Sequence, residues 1–426
     1  MARKIESVAI LGCGTMGSGI GAVSAAAGCR VLMLDVAAEA AEAGAAKVDE
    51  EHRSLVETGT FDTDLERLGE FDWIVEAIVE DLDIKRTLFQ KVEAARADGS
   101  IVTSNTSGIP LADIAEGMGE RFAADVAITH FFNPPQIMKL FELVPGADTD
   151  PEVLATLTAF AEERLGKGVV NAKDTPNFIG NRVGCYFLLS GLHKAKPYLA
   201  DGMSQETVDA VLSHPVGLPP TGLYGLIDLI GLDVMDLVGK NLAANLPAGD
   251  LGLACAAFPD VEQAMLERGQ LGRKSGGGFA KVNRLEDGTK EKETFDLTSE
   301  TWRPATEPDL EGVPGDLGEV MFTETPQGAL AWDVFGGGLR YAADLVPEIS
   351  DDIVNIDRAM RWGFNWAMGP FELLDTIGTQ RVIDKIRADG DELPKMLQVL
   401  ADAGASSFYR NGGAEFLGVD GAWHQV

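Results

Sequence analysis

Basic side chains are scarce in this sequence. It has 35 Lys and Arg residues against 67 Asp and Glu residues, which gives a formal net charge of −32. A surface this acidic repels phosphate backbones and anionic lipid headgroups, so we expect neither nucleic acid nor a membrane surface as a partner. An anionic substrate would need a local basic patch. Long apolar runs are also lacking, because none reaches the roughly 18 residues that a membrane-spanning helix needs.

Cysteine is also rare, and its four positions, Cys13, Cys29, Cys185 and Cys255, are scattered. Their spacing fits neither a metal site nor a framework of disulfides. Unpaired cysteines are typical of proteins in a reducing compartment, which predicts a cytoplasmic location. The apolar stretch near the N-terminus is interrupted by Glu6, and a glycine pattern explains it better than a signal peptide does.

A glycine-rich turn near the N-terminus has the spacing of a dinucleotide-binding loop. Its glycines are Gly12, Gly14 and Gly17, and Asp35 follows 18 residues after the last of them. The surrounding pattern predicts a strand over residues 4–11, a helix over 18–27 and a strand over 30–34. In that context one glycine permits the tight turn, one lets a pyrophosphate approach the backbone, and one lets helix and strand pack closely. A chance glycine loop is the alternative, but the placed strand, helix and acidic residue favour dinucleotide binding.

The acidic residue at the end of the second predicted strand indicates which dinucleotide is bound. The Asp35 carboxylate would accept hydrogen bonds from the adenosine ribose hydroxyls. The next residues, Val36, Ala37 and Ala38, offer no cation for a 2′-phosphate. The sequence therefore favours NAD over NADP.

Strand and helix patterns alternate through the first 175 residues, which predicts a doubly wound sheet. A strand over 100–104 runs into Asn105, Thr106 and Ser107, whose polar side chains either reach a ligand or form an Asn/Ser turn. The other predicted elements are strands over 71–77, 125–128 and 168–171 and helices over 83–97 and 151–165.

His130 follows the strand predicted over 125–128, at the point where that strand runs into a loop. In an open parallel sheet, ligands gather at such carboxyl ends. Glu142 lies twelve residues further on, in a second apolar run. A carboxylate beside a histidine fixes its tautomer and stabilises the imidazolium, which is the minimum for a general base near neutral pH. An isolated histidine is more often a structural loop residue, so the rest of the chain must decide.

The 426 residues suffice for two or three domains, and the pattern becomes helical after Asp174. A motif over 218–231 recurs over 367–378, and Phe279 is echoed by Phe408. The repetition predicts a helical module that is present twice. The acidic, Pro- and Gly-rich stretch between the copies is typical of a linker over the surface. The predicted divisions are 1–175 for the dinucleotide-binding domain, 176–282 for copy 1, 283–325 for the linker and 326–415 for copy 2.

With His130, Glu142, the glycine turn and residues 174–182 (DTPNFIGNR) in view, the sequence resembles the 3-hydroxyacyl-CoA dehydrogenases of fatty-acid β-oxidation. The resemblance covers nearly the whole chain. It implies an α/β Rossmann-type NAD-binding domain followed by two related all-α domains, as in the longer members. Some of those members are multifunctional and continue into an enoyl-CoA hydratase. The implied reaction is NAD-dependent oxidation of (S)-3-hydroxyacyl-CoA to 3-oxoacyl-CoA.

The same resemblance implies roles for individual residues. His130 matches the catalytic base and Glu142 its carboxylate partner. Ser107 and Asn181 match the residues that bind the substrate oxygen. The residues that match cofactor contacts are Gly12, Gly14, Thr15, Met16, Gly17, Asp35, Glu80, Lys85, Asn105, Asn133 and Lys274.

One region departs from the family pattern. Many members have a long helical hairpin between the second and third strands, with Ser and Lys residues that touch CoA. Here residues 36–70 fill that interval, and they are acidic. Lys47 and Arg53 either replace those contacts or are solvated helix charges. A dehydrogenase of a non-CoA hydroxy acid is therefore one alternative, and a non-catalytic NAD-binding protein is another.

The duplication also bears on the assembly that we expect. In short family members two chains pair through their helical domains. Here copy 2 would fill the partner's place within one chain, which predicts a monomer, with a homodimer as the alternative. An acyl-CoA substrate and a fused or associated enoyl-CoA hydratase complete the expected partners.

Overall fold

The computed structural model describes residues 3–284 and 288–426. The chain divides into two compact units, with the boundary between Ile179 and Gly180. The predicted boundary between the NAD-binding domain and the helical region, after residue 175, lies close to this division.

The N-terminal unit is built on one eight-stranded sheet. Its strands are β1 (Ser7–Leu11), β2 (Arg30–Asp35), β3 (Val56–Thr60), β4 (Trp73–Glu76), β5 (Ile101–Ser104), β6 (Val126–Phe131), β7 (Leu140–Pro145) and β8 (Gly168–Asn171). Its helices are α1 (Thr15–Ala26), α2 (Ala38–Ala45), α3 (Leu82–Ala95), α4 (Leu111–Ala115), α5 (Glu120–Asp125) and α6 (Pro151–Glu163). The strand order is β3-β2-β1-β4-β5-β6-β7-β8. The predicted Rossmann-type α/β architecture is therefore confirmed.

Strands β1 to β6 are parallel to one another, whereas β7 runs antiparallel to β6 and parallel to β8. The sequence predicted that the strand before His130 would end at residue 128, but β6 continues to Phe131 because its last residues pair with β7. His130 therefore lies within a strand and not in a loop. In this register His130 is directly opposite Glu142.

The centre of the sheet is held by buried apolar side chains. All residues of β4 and β5 are buried, and the Trp73 ring packs edge-on against Phe160 of α6 at a centroid distance of 5.6 Å. Burying one large apolar side chain contributes about 1.5–3 kcal/mol. This packing fixes the strand ends, where the candidate site residues lie.

Residues 36–70 contain a strand that the sequence pattern did not predict. Strand β3 reads VETGT and forms one edge of the sheet, paired only with β2. Its polar composition suits an edge, where one side of the strand faces solvent. The interval also holds α2 and two short 3₁₀ turns, Glu50–Leu55 and Leu65–Glu70.

The C-terminal unit is mainly helical, as predicted, and it also carries two small antiparallel sheets. Its helices are α7 (Gly180–Ala200), α8 (Gln205–Val211), α9 (Tyr224–Ile230), α10 (Leu232–Asn245), α11 (Asp260–Glu267), α12 (Pro326–Ala331), α13 (Gly337–Asp344), α14 (Ile353–Gly363), α15 (Pro370–Ile377), α16 (Thr379–Asp389) and α17 (Lys395–Asp402). Its strands are β9 (Ala280–Arg284), β10 (Lys290–Asp296), β11 (Thr301–Pro304), β12 (Tyr409–Arg410), β13 (Glu415–Leu417) and β14 (Trp423–Gln425). A π-helical turn, Trp332–Gly336, joins α12 to α13.

The acidic stretch over 283–325, which we predicted to be a linker over the surface, contains strands. Strands β9, β10 and β11 form a three-stranded sheet, in which Phe295 packs edge-on against Trp302 at 5.4 Å. The Lys281 ammonium lies 4.2 Å from the centre of the Trp302 ring. Strand pairing and these ring contacts stabilise a segment that has few apolar residues. Residues 285–287 of this stretch lie outside the described part.

The two helical copies pack against each other inside the C-terminal unit. Tyr186 of α7 stacks on Tyr341 of α13 with ring centroids 3.8 Å apart, and Phe187 packs edge-on against Trp366. The Ala367 amide donates to the Gly217 carbonyl at 3.0 Å. The packing of copy 2 on copy 1 follows the internal-partner prediction, and the oligomeric state stays a prediction. Within the described ranges, no helix combines the length and the hydropathy needed to cross a bilayer.

Candidate active site

The glycine turn between β1 and α1 lies at the carboxyl end of strand β1. Gly12 has a φ of +98°, and a Cβ there would stand 2.6 Å from the Ala77 carbonyl oxygen. A Cβ on Gly17 would stand 1.8 Å from the Gly12 carbonyl oxygen, so α1 can approach the turn only with glycine there. A Cβ on Gly14 would meet no heavy atom within 4 Å. Backbone atoms therefore pack directly against Gly12 and Gly17, whereas there is free space beside Gly14.

The N-terminus of α1 at this turn suits an anionic group. No side chain caps the helix, and its first turn contains no acidic residue. The partial positive charge of the helix N-terminus and its amide groups would therefore be available to a pyrophosphate. The residues of this turn, including Thr15 and Met16, fit the dinucleotide that the glycine spacing predicted.

Asp35, at the end of β2, is connected directly to the same turn. Its carboxylate accepts hydrogen bonds from the Cys13 and Val36 amides, each at 2.7 Å. These bonds hold the carboxylate at the tip of its strand. Val36 is 76% exposed, and no cation follows it before Lys47. The surroundings of Asp35 therefore fit a ribose better than a 2′-phosphate.

A buried ion pair joins β4 to α3 beside the turn. The Lys85 ammonium lies 2.7 Å from the Glu76 carboxylate and 3.3 Å from Glu80, and neither Lys85 nor Glu76 is more than 1% exposed. Glu76 also accepts from the Ser104 hydroxyl and from the Ile78 amide. Lys85 was expected to contact the cofactor, and in this structure its ammonium is bonded to carboxylates.

Glu80 and Asn105 organise the loop that follows β5. Glu80 accepts from the Thr106 hydroxyl and from the amides of Ser107 and Gly108, at 3.1 and 3.2 Å for the two amides. The Asn105 side-chain oxygen accepts from the Phe131 amide at 2.9 Å. These bonds fix the half-buried Ser107 beside the end of β6. The sequence left two alternatives for this loop, a simple Asn/Ser turn and a loop that faces a ligand. Both are compatible with this arrangement.

His130 and Glu142 form a buried pair across strands β6 and β7. His130 Nδ1 lies 2.5 Å from Glu142 Oε2, and the two residues are 5% and 0% exposed. The second carboxylate oxygen of Glu142 accepts from the Ile179 amide at 3.1 Å. A carboxylate can only accept hydrogen bonds, so it holds the imidazole proton on Nδ1 and leaves Nε2 as the acceptor.

Two aromatic rings enclose the imidazole. Phe132 packs edge-on against His130 at a centroid distance of 4.8 Å, and Phe178 lies at 5.7 Å. Phe178 is fully buried and has a φ of +50°, a strained backbone conformation for a bulky residue. Strain of this kind is often found at functional sites. The rings restrict the imidazole to one orientation.

The remaining predicted site residues are found in different local settings. Asn133, after β6, is exposed. Asn181 lies in the first turn of α7, where its side-chain oxygen is 4.0 Å from the Cys185 thiol. The Lys274 ammonium forms an exposed ion pair with Asp233 at 2.5 Å.

Sequence reasoning missed Glu76 as a member of this network. A glutamate at the end of the apolar run WIVE is a usable signal, because a charge in a buried strand needs a partner. The partner, Lys85, is nine residues later in a helix, and only the fold brings the two together.

Comparison with known proteins agrees with this geometry. Residues 7–175 match the NAD-binding domain of 3-hydroxyacyl-CoA dehydrogenase, and residues 178–282 and 334–407 match the C-terminal domain of the same family. A solved structure of 3-hydroxybutyryl-CoA dehydrogenase from Escherichia coli K12 superposes with a TM-score of 0.71 at 25% identity, covering 94% of this chain and 99% of that one.

Curated relatives are similar over most of this chain but are longer. A Bacillus subtilis protein named as a 3-hydroxyacyl-CoA dehydrogenase is 35% identical over 96% of this chain and 56% of its own length. A Rickettsia felis protein named as a fatty acid oxidation complex trifunctional enzyme is 33% identical over 88% of this chain and 53% of its own. The chain thus spans about half the length of these relatives. Two matching domains and these identities show that the chain belongs to the 3-hydroxyacyl-CoA dehydrogenase family, with residues 7–175 as its NAD-binding domain.

Proposed function

We propose that this protein oxidises (S)-3-hydroxyacyl-CoA to 3-oxoacyl-CoA with NAD, as a step of fatty-acid β-oxidation. The observation that carries the proposal is the buried His130–Glu142 pair, with 2.5 Å between Nδ1 and Oε2. An alcohol is oxidised when a base takes the hydroxyl proton as hydride leaves the carbon. The pair provides a base whose accepting nitrogen is defined by its carboxylate.

In this mechanism His130 Nε2 accepts the substrate hydroxyl proton. Glu142 keeps the other imidazole proton on Nδ1 and stabilises the imidazolium that forms. A bound NAD would supply the acceptor for the hydride. Phe132 and Phe178 hold the ring and limit the access of water to it. The low exposure of both charged residues strengthens their interaction.

The residues around the base have assigned roles in the same proposal. Ser107 and Asn181 donate hydrogen bonds to the substrate oxygen through the alcohol and ketone states, an assignment that rests on the family resemblance. Asp35 binds the adenosine ribose, and the glycine turn binds the pyrophosphate. The proposed cofactor residues are Gly12, Gly14, Thr15, Met16, Gly17, Asp35, Glu80, Lys85, Asn105, Asn133 and Lys274.

A second candidate is oxidation of a hydroxy acid that carries no CoA. The observation that favours it is the structure of residues 36–70, which hold α2, β3 and short 3₁₀ turns in place of a long helical hairpin. The Arg53 guanidinium there donates to the Ala46 and Val48 carbonyls at 3.1 Å, so it is engaged within its own loop. Lys47 is the exposed cation that remains in this stretch for a CoA phosphate.

The surroundings of the enzyme belong to the same proposal. An enoyl-CoA hydratase, fused or associated, would supply the 3-hydroxyacyl-CoA, and the trifunctional names of the Rickettsia relatives support this. The packing of copy 2 on copy 1 supports a monomer, with a homodimer as the alternative. Four buried, unpaired cysteines support a cytoplasmic location.

Initial rates of NADH formation would test the proposal. The substrates are (S)-3-hydroxyacyl-CoAs of increasing chain length and the matching free acids, each with NAD and with NADP. We expect turnover of thioesters with NAD and little turnover of free acids. Preference for the free acids would establish the second candidate. Tight NADH binding without turnover of any substrate would contradict both and indicate a non-catalytic protein.

A further inference from the structure

Copies 1 and 2 each hold an aspartate in the same backbone arrangement. Asp209 accepts from the first two backbone amides of α9, at 2.7 and 3.2 Å. Asp357 accepts from the amides of the second and third residues of α15, at 2.8 and 3.2 Å. The two aspartates are therefore equivalent positions of the repeated module.

A second pair of aspartates extends this equivalence to the chain that covers them. Asp228 accepts from the Ala280 amide at 2.8 Å, and Asp375 accepts from the Tyr409 amide at 2.8 Å. Ala280 and Tyr409 are thus the same position in the two copies. The residue before each of these is a phenylalanine. Phe279 packs on Tyr224 of α9, and Phe408 packs on Phe371 of α15, each at a centroid distance of 4.9 Å.

The copies differ in what they present to the first carboxylate. In copy 2 the Tyr409 hydroxyl donates to Asp357 at 2.7 Å. In copy 1 the equivalent residue is Ala280, which has no hydroxyl, so Asp209 lacks this hydroxyl donor. A hydrogen bond to a carboxylate is a strong one, and copy 1 leaves that position open.

A large cavity lies where the tyrosine ring is missing. It has a volume of about 1110 Å³ and is lined by Asp209, Asp228 and Ala280 among others. The equivalent depression in copy 2, lined by Asp357, Asp375 and Tyr409, measures about 610 Å³. The copy 1 cavity is as large as the sites that hold small organic ligands.

The lining of the copy 1 cavity is more polar than its counterpart. Gln205 and Tyr224 line it, and both are at most 4% exposed. Gln205 Nε2 and the Tyr224 hydroxyl are buried without a hydrogen-bond partner among the described residues. The equivalent side chains in copy 2 are Ile353 and Phe371, which have no polar atoms to satisfy. These polar groups are therefore available to hydrogen-bond a molecule that enters the cavity.

Exposed side chains of both signs line the cavity, namely Arg273, Lys292 and Glu307. Arg273 and Lys292 both line it and are exposed, and neither forms a side-chain ion pair within the described ranges. Burial raises the pKa of Asp209 and of Asp228, and the positive charge of Lys292 opposes both rises. Glu206, which also lines the cavity, is already paired with Arg303 at 2.8 Å.

We propose that the copy 1 cavity binds a hydroxylated organic anion. Its hydroxyl donates to Asp209, as the Tyr409 hydroxyl donates to Asp357 in copy 2, and its carboxylate or phosphate contacts Arg273 and Lys292. This site is independent of the dehydrogenase activity, because none of the proposed site residues lines the cavity.

Binding of three small probes to the full chain would test the site. The probes are 4-hydroxyphenylacetate, phenylacetate and ribose 5-phosphate, measured by ligand-observed NMR with NADH present at saturation. We expect 4-hydroxyphenylacetate to bind about tenfold more tightly than phenylacetate, because only the former donates to Asp209. Tighter binding of ribose 5-phosphate would identify a sugar phosphate as the ligand class. Failure of every hydroxylated probe to bind would overturn the proposal.

Matched variants would locate the binding. Ala280→Tyr restores the copy 2 residue, so it should fill the space, abolish binding of the probes and raise the melting temperature. Lys292→Glu should weaken binding at least about tenfold with the melting temperature unchanged. Tyr409→Phe is the control, since it alters only copy 2 and should leave binding unchanged. Unchanged binding in both Ala280→Tyr and Lys292→Glu would overturn the proposed site.

Discussion

Both units of this protein bury carboxylates, and these carboxylates have partners of different kinds. Glu76 of the N-terminal unit faces the ammonium of Lys85. In the N-terminal unit Glu142 faces the imidazole of His130. In the helical unit Asp228 and Asp375 accept from backbone amides, and Asp250 accepts from the guanidinium of Arg182. An amide or a guanidinium keeps its protons near neutral pH, whereas an imidazole can exchange one. The burial of a carboxylate therefore does not by itself identify a catalytic site. The kind of group that pairs with the carboxylate is the more informative observation.

Removal of the imidazole should have the largest effect on activity. His130→Ala should lower kcat by roughly 10²–10⁴, which is what a positioned base is typically worth. Affinity for NADH should stay within a few fold, because in the proposed mode of binding the glycine turn and Asp35 hold the cofactor. Steady-state rates and a fluorescence titration with NADH check both expectations. Retention of most of the activity would remove His130 from the mechanism. The His130–Glu142 pair would then have a structural role, as the carboxylate pairs of the helical unit do.

Removal of the guanidinium should instead affect stability. Arg182 is fully buried and contacts the Tyr341 hydroxyl at 2.6 Å, together with Asp250 and Glu348. Arg182→Met removes the cation that pairs with the Asp250 carboxylate, which should lower the free energy of unfolding by about 3–5 kcal/mol.

An exposed ion pair provides the matched control for this variant. Arg410 pairs with Glu415 at the surface, so Arg410→Met should cost no more than about 1 kcal/mol. Denaturant unfolding of both variants gives the difference. Equal stability of the two would show that the buried cluster does not hold the helical copies together.

Much of the N-terminal unit could be predicted because its signals are local. The helix expected over 18–27 is observed as α1, and the strand expected over 30–34 as β2, since glycine spacing and apolar runs mark both. Strand β3 could not be predicted, because VETGT has no apolar alternation and forms by pairing with β2. Strand β10 could not be predicted for the same reason, because its sequence, with KETF at its centre, has no apolar alternation.

The candidate site could be predicted in its members but not in its geometry. The motif places His130 and Glu142 near each other, but the antiparallel register that sets them opposite depends on the pairing of β6 with β7. Glu76 and Lys85 meet only through the fold. The three-stranded sheet after copy 1 depends on contacts such as Phe295 on Trp302, which no local pattern marks.

A smaller effect, dependent on pH, is expected where copy 1 buries an acid in place of an apolar residue. Glu262 is 1% exposed, and its position in α11 corresponds to that of Leu397 in α17. Burial raises the pKa of Glu262 from 4.5 to about 7. Between these values the unfolded chain has lost the proton that the folded chain keeps, so stability falls as pH rises.

Glu262→Leu should remove this loss. The variant should gain up to roughly 3 kcal/mol over the wild type at pH 8 and much less at pH 5. Thermal unfolding across this pH range checks the result. Glu267→Leu, at an exposed position of the same helix, is the control and should show no such pH dependence. A gain that is the same at both pH values would mean that the acid is not the cause.

In the proposed mechanism the buried carboxylate of Glu142 serves the chemistry, whereas the carboxylates of Asp228 and Asp375 hold the fold. Measurement of kcat and melting temperature for Glu142→Gln and Asp375→Asn would test this difference. The amide that Glu142→Gln introduces could donate to Nδ1 and move the imidazole proton to Nε2, so kcat should fall about 10²-fold or more with a small change in melting temperature. Asp375→Asn should lower the melting temperature and leave kcat nearly unchanged. A Glu142→Gln variant that keeps its activity but loses stability would show that this carboxylate serves the fold and not the chemistry.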